Sequence, residues 1–153
     1  MIQRVQTLLL LLTSFFFFSY WFFGLEWYEK GYPVIIDLFL DSEHINKVLI
    51  FISYIPLVIS LISFITVFMY KNRKLQIKLT QAVFSLCTIM SLFTIFYFYI
   101  CLEYLLELMP SKFLEILMYA AIANPFLCCC LSFLALKYIK RDEELVKSLD
   151  RIR

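Results

Sequence analysis

Charged residues divide the chain into four long stretches that carry none. They are residues 5–25 between Arg4 and Glu26, 48–70 between Lys47 and Lys71, 79–102 between Lys78 and Glu103, and 116–136 between Glu115 and Lys137. Each is at least as long as the roughly 20 apolar residues a helix needs to cross the ~30 Å hydrocarbon layer. Lipid gives the backbone no hydrogen-bond partner, so runs of this kind cross as helices. The pattern predicts an all-α polytopic membrane protein. Residues 1–153 form one membrane domain, an antiparallel bundle of four transmembrane helices, and 137–153 extend from it as a cytoplasmic helical tail. The first run is too long for a signal peptide and ends in "SYWFFGLEWY", without a small-x-small cleavage site, so it reads as a retained helix.

Composition agrees with this reading. The chain is 63% hydrophobic and 17% charged, whereas soluble domains are about half apolar and a quarter charged. The basic residues give the orientation. Eleven of the fourteen Lys and Arg fall in the N-terminus, the turn "KNRKLQIK" and the tail, and only Lys30, Lys47 and Lys112 fall in the other two connections. The positive-inside rule then puts both termini and the middle turn in the cytoplasm. Tyr20, Trp21, Trp27, Tyr28 and Tyr32 gather at the outer end of the first helix, where amphipathic rings suit the headgroup layer.

The connections carry their own signals. Gly31 and Pro33 predict a turn in the outer loop 26–47, and "VIIDLFL" after them is too short to span, so it reads as an interfacial helix or strand. The short middle turn makes the second and third helices an antiparallel hairpin. The third helix runs on through "EYLLELM" and stops before Pro110, and Ser111 caps the fourth. With no Gly or Pro after Pro125, the fourth helix continues into the tail.

None of the four runs contains Asp, Glu, Lys, Arg or His. Intramembrane ionisable groups mark ion paths and proton relays, so the pattern counts against a proton-coupled pump. Weaker polarity remains. Ser53, Ser60 and Ser63 fall near one face of the second helix, and Gln81, Ser85 and Thr88 share a face of the third; both patterns fit close helix contact. In the fourth, Pro125 cannot donate to the Ala121 carbonyl and should kink the helix. Asn124 beside it needs a partner on a neighbouring helix or a freed carbonyl. Asn124, Pro125, Ser53, Ser60 and Ser85 are thus the candidate packing or polar site. The five cysteines, Cys87, Cys101 and Cys128 to Cys130, show no zinc-type spacing. Cys101 falls near the outer surface, open to oxidation. His44 with Asp37, Asp41 and Glu43 is a poor metal site, and Glu103 with Glu107 reads as a solvated helix end. No catalytic residue, metal, cofactor or nucleic-acid partner is indicated.

"MIQRVQTLLLLL", "RKLQIKL" and "IKRDEELVKSLDRIR" resemble a small family found mainly in Bacteroidota, the domain of unknown function family 4293. The likeness covers the whole chain. It implies a four-helix protein of the bacterial inner membrane and brings no activity with it. Leu149 departs from the small residue usual at that place in the family.

The tail has a further pattern. Lys137, Lys140 and Arg141 would meet anionic headgroups, and Asp142, Glu143 and Glu144 would be repelled by them. Leu145, Leu149 and Ile152 recur at helical spacing, with Ile139 and Val146 beside them. Glu143 with Lys147, and Arg151 beyond, flank that stripe with charge. Leu145, Leu149, Ile152, Glu143, Lys147 and Arg151 are therefore the candidate docking residues of a projecting helix. The expectation is a non-enzymatic accessory or scaffold subunit, held in the lipid bilayer and meeting a membrane or cytoplasmic partner. The alternative is a small oligomeric transporter or channel component lined by Asn124, Ser53 and Ser60. A membrane enzyme using the outer-loop acids or Cys101 has the least support.

Overall fold

A computed structural model of the chain describes residues 2–38, 42–108 and 111–150. Those residues form five α-helices and no strand: α1 (Ile2–Leu38), α2 (Ser42–Ser53), α3 (Ile55–Phe68), α4 (Arg73–Glu107) and α5 (Lys112–Asp150). A single 3-10 turn, Met69–Lys71, leads from α3 towards α4. Four helical stretches are long and apolar enough to cross a membrane: Val5–Phe23, Glu43–Lys71, Arg73–Glu107 and Lys112–Val146. The chain is thus an all-α protein with the four spans that the charge-free runs predict.

Two connections differ from the sequence reading. The first helix does not stop near residue 25 or turn at Gly31 and Pro33; α1 continues through both to Leu38. Pro33 removes one N–H from the ladder, but it is exposed, so water or headgroups can serve the carbonyl it frees. The part of "VIIDLFL" from Val34 to Leu38 is therefore no separate element but belongs to α1, with Ile35 buried in the core, and Phe39 and Leu40 lie outside the described residues. The second span is conversely not one helix. It breaks at Tyr54, with Pro56 in the first turn of α3. Pro56 has no N–H to donate to the Ile52 carbonyl and its ring crowds that turn, while it suits the first turn of a helix, so it ends α2 and opens α3. The other ends follow local chemistry. Asn72 caps α4 by accepting from the Leu75 N–H (3.3 Å), and Ser111 accepts from the Leu114 N–H (3.5 Å) at the start of α5.

α1 packs against α3 and α5, and α4 packs against the same two helices, while α3 and α5 do not meet. The pairings run antiparallel. Ser14 and Leu10 of α1 meet Ser60 and Ser63 of α3, and Phe84 and Thr88 of α4 meet Phe133 and Cys129 of α5. Phe17, Ile59, Val83, Met90 and Cys128 are buried where these helices face one another, and Leu9, Leu10, Ala135 and Ile139 form a smaller cluster at the end near the chain termini. Large apolar residues such as Phe22, Leu92 and Tyr99 point outward, as expected where the surrounding solvent is lipid.

Gly31 has its role in this packing. A Cβ there would fall on the Tyr97 hydroxyl, 2.9 Å from the ring carbon Cζ and 3.2 Å from Cys101 Sγ. Tyr97 and Cys101 are fully buried, and the Cys101 thiol donates to the Gly31 carbonyl (3.5 Å). Glycine is needed for the close approach of α1 and α4, not for a turn. Cys101 is accordingly sealed behind α1 and not open to oxidation. Gly31→Ala should lower stability by about 1–3 kcal/mol, the usual cost of overpacking. Thermal unfolding in detergent checks this, and the same substitution should cost less in a Tyr97→Leu background.

Candidate functional site

At mid-depth, short polar side chains bridge the helices. Ser14 donates from Oγ to the Ser60 carbonyl and Ser60 donates from Oγ to the Ser14 carbonyl, both at 2.9 Å. One turn away, Ser63 donates to the Leu10 carbonyl (2.9 Å). A serine hydroxyl reaches a facing carbonyl only when two backbones come close, which small residues allow. On the other side of α1, Asn124 donates from Nδ2 to the Phe16 carbonyl (3.0 Å) and accepts from the Cys128 thiol (3.1 Å). Pro125, next to it, is buried within α5.

The candidate residues therefore separate. Asn124 and Ser60 join helices through α1. Ser53 is buried at the end of α2 and donates back to the Ile50 carbonyl (2.7 Å). Ser85 is exposed and donates to the Gln81 carbonyl of its own helix (3.1 Å), so it takes no part in the seam. Its neighbour Thr88 approaches Cys129 of α5 (3.6 Å). Ser14 is the half of the clasp that the sequence pattern did not single out; its signal is a polar pair, Thr13 and Ser14, inside a run of Leu and Phe.

A second cluster closes the end near the termini. Gln6 of α1 donates from Nε2 to Asp142 Oδ2 of α5 (2.6 Å), and Arg73 of α4 donates from Nη1 to the Asp142 carbonyl (2.9 Å). Gln6, Gln76 and Asp142 are buried. Together with Thr7, Tyr70 and Ile139 they enclose a cleft of about 20 Å³, room for about one water. Asp142 thus does not face outward with an acidic triad as the tail pattern suggests. It turns inward and ties α5 to two other helices, leaving Glu144 exposed and Glu143 half-buried. Ile139 likewise belongs to the core and not to a free stripe. Leu145 and Val146 beyond it are exposed, at 49% and 40%. The side chains of Lys147 and Leu149, and the whole of Arg151 and Ile152, lie outside the described residues.

Other features are plainer. The Tyr32 hydroxyl donates to the Leu49 carbonyl (3.3 Å), holding α1 to α2. Burial pushes its phenol above the usual value, opposed by a hydrogen bond with Ser53 and reinforced by the Glu29 charge, so Tyr32 remains a donor at neutral pH. Trp21 Nε1 is a buried donor without a partner among the described residues. His44, Glu103 and Glu107 are exposed, and among the described residues no group of His, Cys, Asp and Glu could hold a metal.

These features define an all-helical membrane protein whose helices are stitched by short polar contacts and closed at one end by a polar junction. The three segments that meet in that junction are those on which the family resemblance rests. The sequence model of the domain of unknown function DUF4293 matches residues 2–152, and the chain belongs to that family. Neither curated proteins nor solved structures yield a match.

Asp142→Leu should strand the Gln6 amide and cost about 1–3 kcal/mol, the penalty of an unsatisfied buried polar group, with Asp142→Asn retaining most of it. Asn124→Leu should cost about 0.6–2 kcal/mol, the range for interhelical hydrogen bonds in membranes. Ser85→Ala should stay within about 0.5 kcal/mol. Thermal or denaturant unfolding in detergent measures all four.

Proposed function

We propose that the protein is a non-enzymatic accessory or scaffold subunit of the bacterial inner membrane, with both termini cytoplasmic. It is a four-helix bundle that presents the end of α5 to a partner protein. The observation that carries this reading is the Asp142 junction. α5 runs unbroken to Asp150, and Asp142 fixes it to α1 and α4 close to where it leaves the apolar layer. The eight residues beyond are then a rigid projection of about 12 Å and not a loose tail. Leu145 and Val146 are exposed on that projection, with Glu144 beside them. Exposed apolar side chains rimmed by charge suit a protein surface better than water or headgroups. The excess of Lys and Arg at this end supports a cytoplasmic placement.

The transporter reading is less well supported, because Asn124 and Ser60 direct their polar atoms at α1 backbone carbonyls and not along a common path. An enzyme reading has no assembled nucleophile, base and orienting group behind it.

Purification from native membranes in gentle detergent tests the proposal. The full-length protein is compared with Leu145→Asp and with a chain ending at Glu144. A stop after Arg141 would be a poor control, since it also removes Asp142. At least one protein recovered with the full-length chain should be missing from both variants, and an unchanged set of co-purifying proteins would remove the docking role. The tail should also resist protease added to intact spheroplasts and be cut in inverted vesicles.

A further inference from the structure

The outer side of the α1–α3 seam carries an open apolar groove. It begins at Thr7 and Tyr70, passes Leu11 and Phe15, and reaches Phe18 and Leu61. Its two sections, of about 740 and 480 Å³, share Leu11 and Phe15 and so adjoin along the seam. The floor of the second section is the Ser14–Ser60 clasp, whose hydroxyls are engaged with carbonyls and make no demand on an occupant.

Three observations say what fits. The first is length. From Thr7 to Phe18 is eleven residues of helix, about 16 Å at 1.5 Å per residue, close to half of the ~30 Å hydrocarbon layer. The groove is one leaflet deep. A transmembrane helix of a partner would need a seam running through both leaflets. The second is its far limit: Phe18 is backed by Trp21, ring centroids 6.4 Å apart, one turn further along α1. The third is the charge at its mouth. Tyr70 leads directly into Lys71, Arg73 and Lys74, in a turn that contains no acid. Tyr70, Lys71 and Lys74 are exposed. Arg73 is half-buried and donates to the Asp142 carbonyl, while the Asp142 carboxylate that faces this corner accepts from Gln6. The turn thus brings three cations to this end against the one carboxylate of Asp142, and the mouth is net positive.

We propose that this groove is a binding site for one anionic phospholipid. An acyl chain lies along Leu11 and Phe15, and the phosphate sits at Tyr70, Lys71 and Lys74. This site is distinct from the α5 projection and does not depend on a docking partner there. It requires only that the chain cross a bilayer.

Native mass spectrometry of the full-length protein, released from detergent, gives the test. The probes are phosphatidylglycerol and phosphatidylcholine with identical acyl chains. A basic residue near an anionic lipid surface contributes a factor of about five in binding. The wild type should therefore retain one phosphatidylglycerol in preference to phosphatidylcholine. The Lys71→Gln/Lys74→Gln double variant should lose that preference by roughly tenfold or more. Leu11→Trp, which fills the groove from a lipid-facing position, should lower retention of both lipids. Leu92→Trp, on an outward face of α4, should leave both unchanged. Should Leu11→Trp fail to fold, the lysine variant decides, since both side chains are on the surface. Equal retention of the two lipids by the wild type would overturn the proposal, as would a preference that survives the lysine changes. A lipid-free dimer abolished by Leu11→Trp would also overturn it, in favour of a second copy in the groove.

Discussion

A membrane removes the force that folds most proteins. Between two helices already in lipid, burying apolar surface gains little, because the tails are as apolar as leucine. Contact then depends on close packing and on the few hydrogen bonds that short side chains can make. In this chain α1 makes them in every direction: with α2 through Tyr32, with α3 through Ser14 and the Leu10 carbonyl, with α4 through the Gly31 carbonyl, and with α5 through Gln6 and the Phe16 carbonyl. The helix that reads as the least informative, a run of Leu and Phe, is the hub on which the others are registered.

The spans were legible because bilayer thickness acts on length and charge alone, and both can be read directly. The ends were less so. Gly31 and Pro33 look like a turn in any local reading, since only the position of Tyr97, some 66 residues away, turns the glycine into a packing requirement. Pro56 is the reverse case. Its effect is local and follows from the missing N–H, but it lies within an apolar run that invites reading as one uninterrupted helix. The polar contacts divide in the same way. Asn124 announces itself, because an amide in lipid must be satisfied. Ser14 and Ser60 are recognisable only as a pair, and Ser85, chemically identical, faces outward. Spacing identifies a face of a helix but not what that face meets.

The two ends of the molecule are built differently. Where α3 passes into α4 the chain is short and basic, and three helices share one polar junction. At the other end α1 and α2 extend past the first apolar run, and their exposed charges, among them the Glu43–Lys47 pair at 2.7 Å, lie on single helices. A surface pair of that kind contributes little, typically under about 1 kcal/mol, so order there comes from the packing of Tyr32, Ile35 and Leu49 together with the Tyr32 hydroxyl bond to the Leu49 carbonyl. The junction end gathers three helices on one buried carboxylate residue, whereas the far end relies on packing supplemented by the single contacts of Tyr32 and Cys101.

That asymmetry gives the Asp142 contact a geometric meaning. A helix turns about 100° per residue, so a residue clamped between two neighbours sets the compass bearing of every residue after it. The side chains that follow Asp142 leave the bundle at angles decided by Gln6 and Arg73. The end of α5 is in that sense an indexed shaft. Its length sets how far it reaches, and the junction sets which way each face looks when it arrives.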